Sequence, residues 1–246
     1  MPMLLPSPRR ALRAVLAACL LSAPVPAGAS DGPRAVMELF TSQGCSSCPP
    51  ADRLVTEISR RSDLVVLSYP VDYWDYLGWQ DTLASPANSA RQRDYAAARG
   101  DRDVYTPQIV VNGQDHMVGS DRRALDVALE SAAPLPVDVE ILPRKDVLTI
   151  RVDGRMPVAG GMATVMLALV AAPVSVDIGR GENRGREVVY TNVVRSLRAV
   201  GMWDGGRVEF RLPMSDLKKM KAQRCAVIVQ MEDGGRPGRI LGAAIR

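Results

Sequence analysis

Val36-Met-Glu-Leu-Phe-Thr-Ser-Gln-Gly-Cys-Ser-Ser-Cys48 (residues 36–48) is the stretch from which the rest of the chain is read. Val36 to Phe40 is a short β-prone run interrupted by one acid, Glu38. Polar turn residues follow, and then Cys45 and Cys48 stand just ahead of a helical pattern. Two thiols are thus expected where a strand hands over to a helix N-terminus. There the unpaired amides and the positive end of the helix dipole favour thiolate over thiol and can lower a cysteine pKa from about 8.5 to between about 3.5 and 7.5. Two plainer uses compete. A structural zinc site would need four ligands, yet beyond the first 29 residues only Cys225 and His116 are available besides carboxylates. A disulfide that merely staples a turn is the other.

The chain has 246 residues, 47% of them hydrophobic, and its character changes near Pro134 and Pro136. Three segments are expected: a leader over 1–29, an α/β domain over 30–133 and a β-rich domain over 134–246. In the first, Arg9, Arg10 and Arg13 precede an apolar run from Ala14 to Leu21, and Ala27-Gly28-Ala29 offers small residues for cleavage. A periplasmic or secreted protein is expected. Leu16-Ala17-Ala18-Cys19 resembles a lipoprotein box, but only five residues separate Arg13 from Cys19, short for a leader's apolar region. The leader holds three of the 31 basic residues and none of the 27 acidic ones, so the remainder is nearly neutral. Nothing in that balance suggests a nucleic-acid binder. No other apolar run approaches the roughly 18 residues of a membrane span. Without Cys19 the cysteines are Cys45, Cys48 and Cys225, most simply one close pair and one leftover thiol.

After Pro49 and Pro50, tolerable only in a first helical turn, Ala51, Leu54, Val55 and Ile58 mark one face of a helix ending near Arg61. Leu64 to Leu67 suits a buried parallel strand. Residues 69–79 gather Tyr69, Tyr73, Trp74, Tyr76 and Trp79, either a hydrophobic cluster under a loop or a wall beside the thiols that docks substrate. Ser85-Pro86 opens a helix that Gly100 closes. Thr106-Pro107 begins an apolar strand, and Asn112-Gly113 turns it into a hairpin. Asp115 to Val118 returns, and Leu125, Ala128, Leu129 and Ala132 mark a last helix. Beyond Pro136, short alternating runs from Val137 to Ile245 suggest an antiparallel sandwich of about seven or eight strands. Cys225 opens one of them and reads as a buried, inert thiol.

A Cys-x-x-Cys at a strand–helix junction, a later Thr-Pro strand, an Asn-Gly hairpin and a final helix together resemble the thioredoxin fold. More closely, Glu38–Asp52 (ELFTSQGCSSCPPAD), Val71–Trp79 (VDYWDYLGW), Arg91-Gln92, Tyr105–Gly113 (YTPQIVVNG) and Gly181–Gly185 (GENRG) resemble a secreted thioredoxin-like family known as domain of unknown function 1223. That family often has histidine where Pro70 stands here. The resemblance implies a thioredoxin-like α/β domain, which the alternating pattern beyond Pro136 follows with an all-β, sandwich-like domain. It also implies a cis Thr106–Pro107 bond against the cysteines, and a buried acid, Glu38, that relays a proton to the second cysteine.

The function expected is thiol–disulfide exchange with protein or small-molecule partners, without a cofactor. Cys45 would attack, Cys48 resolve, Pro107 shield and align, and Glu38 move the proton, while Thr106, Tyr73, Trp74 and Trp79 bind substrate. One rival is a Cu(I) module using Cys45, Cys48 and His116 or methionines. His116 is three residues before Gly119, hence about 10 Å along a strand from the site. The other is a non-enzymatic binding protein with a structural disulfide.

Overall fold

The computed structural model describes residues 32–215 and 224–246 together with Met1; the expected leader and Cys19 lie outside the described residues. Strand β1 (Ala35–Thr41) leads through the cysteine turn into helix α1 (Pro49–Ile58), which crosses over to strand β2 (Leu64–Pro70), parallel to β1. Both strands are buried along their whole length. That is why their sequences run apolar without alternating, as expected of parallel strands covered on two faces.

Helix α2 (Pro86–Arg99) begins as its sequence demands. Ser85 caps it by accepting from the amide of Asn88, Pro86 occupies the first turn, and Gly100 ends it in the left-handed region. Strands β3 (Gln108–Val111) and β4 (Asp115–Val118) then form the hairpin, with Asn112 and Gly113 both at positive φ. A tight turn that matches strand twist requires this. Gly113 is doubly constrained, since a Cβ there would lie 2.3 Å from the Gly238 carbonyl. The sheet order is β2-β1-β3-β4, with β3 antiparallel to β1. Helices α1 and α3 (Arg122–Ser131) cover one face, where Val55, Ile58, Leu125 and Leu129 meet Met37, Leu39 and Ile109.

The β-rich part has strands β5 (Val137–Pro143), β6 (Val147–Gly154), β7 (Ala163–Val170), β8 (Val174–Asp177), β9 (Glu187–Tyr190), β10 (Val194–Trp203), β11 (Val208–Pro213), β12 (Arg224–Asp233) and β13 (Arg236–Ile245). Sheets β10-β7-β12-β13 and β11-β6-β5 are antiparallel. Strand β6 alternates, and its inward Leu148, Ile150 and Val152 pack on Val165, Leu167 and Val227 of the four-stranded sheet. The other face of that sheet presents Ala168, Val170, Ala226 and Ile228 to Phe40, Leu67, Tyr69 and Tyr95. Strands β7 and β12 are therefore covered twice, and the α/β part and the β-rich part share one core. The sequence expectation of a single sandwich is corrected at β8 and β9. These pair only with each other among the described residues, and Val188 and Tyr190 pack toward Trp79 and Leu83. The hairpin turns back to the cysteine end of the α/β sheet.

Candidate functional site

Cys45 and Cys48 form a disulfide with Cα atoms 5.4 Å apart, and both are buried, while Ser46 and Ser47 between them are exposed. The turn follows from local hydrogen bonds: the Cys45 amide donates to the Ser42 carbonyl at 3.2 Å and the Cys48 amide to the Cys45 carbonyl at 3.1 Å. Cys48 is the residue before α1, and Pro49 and Pro50 fill the first turn. Neither proline has an N–H, and the amides of Ala51 and Asp52 both donate to the Cys48 carbonyl. The expected support from free helix amides is thus largely absent, leaving the axial dipole and the neighbouring hydroxyl. Cys45 Sγ lies 3.4 Å from Ser47 Oγ, which in turn reaches the Thr106 carbonyl at 3.5 Å.

That carbonyl belongs to the one cis bond among the described residues, Thr106–Pro107. Gly119 lets β4 end against this proline, since a Cβ there would meet Leu39, Pro107 and Ala51 within 3.2 Å. Trp74 closes the other side. Its indole N–H donates to Thr106 Oγ1 at 2.7 Å, and its Cβ would crowd any side chain at Gly44. Its ring stacks on Tyr76, which is 76% exposed, so an aromatic surface opens to solvent beside the disulfide. Tyr73 instead points into the fold and donates to Gln92 Oε1 at 3.0 Å. Trp79 donates to Gln43 Oε1 at 2.8 Å and supports the cysteine loop from behind.

Glu38 is placed otherwise than expected of a proton carrier. It is fully buried and bound by both oxygens: Arg91 Nε donates to Oε1 at 2.8 Å and Nη2 to Oε2 at 3.1 Å, and the Tyr95 hydroxyl donates to Oε2. Arg91 also lies over the Tyr95 ring, 4.9 Å from its centroid. A carboxylate held by a bidentate guanidinium is an anchor between β1, α2 and β12, where Gln230 Oε1 accepts a further bond from Arg91.

A second buried carboxyl lies close to the cysteines along the chain: Asp52, 3% exposed and one helical turn after Cys48, to whose carbonyl its backbone amide donates. Its Oδ1 accepts from the Thr41 hydroxyl at 2.8 Å, whereas Oδ2 is buried without a partner among the described residues. Burial pushes its pKa up to about 8, against the opposing effect of the Thr41 bond. Nearby Asp81 accepts from the amides of Gln43, Leu83 and Ala84 and so ties the aromatic loop to the cysteine loop. Asp52 is visible in the sequence as the i+4 neighbour of Cys48, but its burial, which outweighs the nearby Arg53 charge, is a property of the fold.

His116 pairs across the sheet with Val110, itself opposite Glu38 on β1. It therefore sits in the row three residues before the end of β1, bonded to Tyr105, Gln108 and Asp101. Among the described residues no group of three His, Cys, Asp or Glu side chains is placed to hold a metal ion, and no helix is long and apolar enough to cross a membrane. Cys225 is free and half-buried at the start of β12, its thiol pKa pushed up by burial.

The family described as "Protein of unknown function (DUF1223)" matches residues 36–230, a span from β1 to the middle of β12. The chain belongs to this family. Among solved structures, it is similar to protein AGR_C_4864 from Agrobacterium tumefaciens, with 39% identity, a TM-score of 0.78, and coverage of 88% of this chain and 95% of that one. HBP35 of Porphyromonas gingivalis shares the fold at 11% identity and a TM-score of 0.58, over 87% of this chain and 75% of that one. No curated protein matches the sequence.

Proposed function

We propose that this DUF1223 protein is a thiol–disulfide oxidoreductase with a thioredoxin-like α/β part, working in the periplasm or outside the cell on protein or small-molecule thiols and disulfides. The observation that carries the reading is the Cys45–Cys48 disulfide at the β1–α1 junction, with Thr106–Pro107 beside it. The β2-β1-β3-β4 order supports the fold assignment. A leader over residues 1–29 supports the compartment, where disulfides persist.

In the reducing direction, the Cys45 thiolate attacks one sulfur of a substrate disulfide and expels the other as thiolate. Cys48 then loses its proton to the Asp52 carboxylate and attacks Cys45 Sγ, which re-forms the Cys45–Cys48 bond and releases the second substrate thiolate. Two electrons pass to the substrate, and the reverse sequence oxidises a dithiol. At neutral pH only a minority of molecules carry Asp52 ionised, and in those it can take the Cys48 proton, because a carboxyl with a pKa of about 8 has a proton affinity approaching that of a thiol. Trp74 and Tyr76 provide an aromatic surface for the substrate chain.

Dithiothreitol-driven reduction of insulin tests this: the wild-type protein should accelerate it and Cys45→Ser should not. Near-complete burial of both cysteines favours one other reading, a structural disulfide. A midpoint potential below about −300 mV with no turnover would establish that reading instead.

A further inference from the structure

One side chain reaches the cysteine loop from the distant β8–β9 hairpin. Asn183 is 1% exposed, and its Nδ2 donates to the Gln43 carbonyl at 2.9 Å and to the Cys45 carbonyl at 2.8 Å. The Cys45 carbonyl also accepts the Cys48 amide. One oxygen therefore joins the first cysteine, the backbone of the second and a residue 138 positions further along the chain.

The hairpin turn is built to deliver this contact. The Gly185 amide donates to the Ile178 carbonyl at 2.8 Å and the Arg186 amide to the Asn183 carbonyl at 3.1 Å. Gly181 has φ +73°, and a Cβ at Gly179 or Gly181 would come within 3.2 Å of Trp79. Trp79 itself holds the Gln43 side chain. Asn183 and Trp79 thus grip the Gln43–Cys45 segment together, one by its backbone and the other by a side chain.

We propose that Asn183 is a positioning residue for the redox pair, and that through it the β8–β9 turn sets the reduction potential of the Cys45–Cys48 bond. The biological use of this control rests on the oxidoreductase reading, but the physical effect does not. In the disulfide form the S–S bond already fixes the turn. In the dithiol form only hydrogen bonds hold the two cysteines in that arrangement. Removing Asn183 costs both forms the two bonds, but only the dithiol form gains conformational freedom in return. The variant should therefore be easier to reduce.

The full protein would be equilibrated in mixtures of reduced and oxidised dithiothreitol, and the dithiol fraction read by alkylation. Each reduced dithiothreitol gives up two electrons and two protons, closing to its cyclic disulfide as Cys45 and Cys48 become thiols. For Asn183→Ala, the equilibrium constant for reduction should rise three- to tenfold, the upper figure corresponding to about 30 mV. Its unfolding free energy should fall more in the disulfide form than in the dithiol form. Asn183→Ser and Trp79→Phe give the same readout if Asn183→Ala does not fold. Trp79→Phe keeps a ring against Gly179 and Gly181 but loses the bond to Gln43, so a smaller shift in the same direction is expected. An equilibrium constant for reduction within twofold of wild type in an Asn183 variant that folds, or a shift in any variant that makes the bond harder to reduce, would overturn the proposal. The wild-type potential and turnover bear on the oxidoreductase reading and the difference between proteins bears on Asn183, so the two can fail separately.

Discussion

Glu38 and Asp52 are both buried carboxyls, one in the middle of β1 and the other bonded to its last residue, Thr41, and their surroundings are opposite. Glu38 has a guanidinium on both oxygens and a tyrosine hydroxyl besides, while Asp52 has one threonine hydroxyl and an oxygen without a partner among the described residues. Burial alone makes ionisation costly, and a buried cation reverses that. Where the fold supplies the cation, the carboxyl joins elements together. Where burial outweighs a cation that does not bond the carboxyl, as Arg53 beside Asp52, the carboxyl keeps its proton into the neutral range and is suited to exchange it.

The largest effect should come from breaking the first arrangement. Arg91→Ala leaves Glu38 buried without its cation and should cost about 3–5 kcal/mol in urea unfolding, with Glu38→Gln in the same chain recovering part of it. A loss under about 1 kcal/mol would mean that the pair is not the anchor described.

Asp52 should respond to pH instead. Its folded pKa of about 8 stands above the ordinary value of 3.8, so the folded state holds the proton longer than the unfolded one. Stability from this group is complete below about pH 4 and is lost as pH rises through about 8, by at most about 1.4 kcal/mol per unit. Asp52→Asn should abolish that decline, making the variant the more stable protein at pH 8. It should also slow the resolving attack by Cys48 about 10²-fold at neutral pH, read as a longer-lived mixed disulfide. An unchanged pH slope in the variant would remove Asp52 from both roles.

A smaller effect is expected at Trp74, which touches neither carboxyl. Trp74→Ala should lower kcat/KM about tenfold toward a protein disulfide, and far less toward glutathione disulfide, which needs no aromatic surface. Equal losses with both substrates, together with a large fall in stability, would make Trp74 part of the core.

Local signals carried much of the fold. The helix at Pro86 could be read from Ser85 and Gly100, and the hairpin from Asn112-Gly113, because caps and turns depend on residues next to each other. The cysteine pair and the Thr106-Pro107 step were legible for the same reason. Glu38 was visible as an acid in an apolar strand, yet its partner Arg91 is 53 residues away on helix α2, a distance no local pattern bridges. The β8–β9 hairpin alternates like any sandwich strand pair, and nothing local in Asn183 announces a bond to a cysteine carbonyl. Such roles come from long-range packing, which a periodic pattern does not encode.

The division of labour between the two cysteines is the central claim, and trapping with a peptide disulfide tests it most directly. Reduced Cys48→Ser keeps the attacking thiol but lacks the resolving one, so it should accumulate a covalent mixed disulfide through Cys45, stable until dithiothreitol is added. Reduced Cys45→Ser, whose remaining thiol is fully buried, should trap almost nothing. Faster trapping by Cys45→Ser would invert the roles, and no trapping by either variant would contradict the oxidoreductase reading itself.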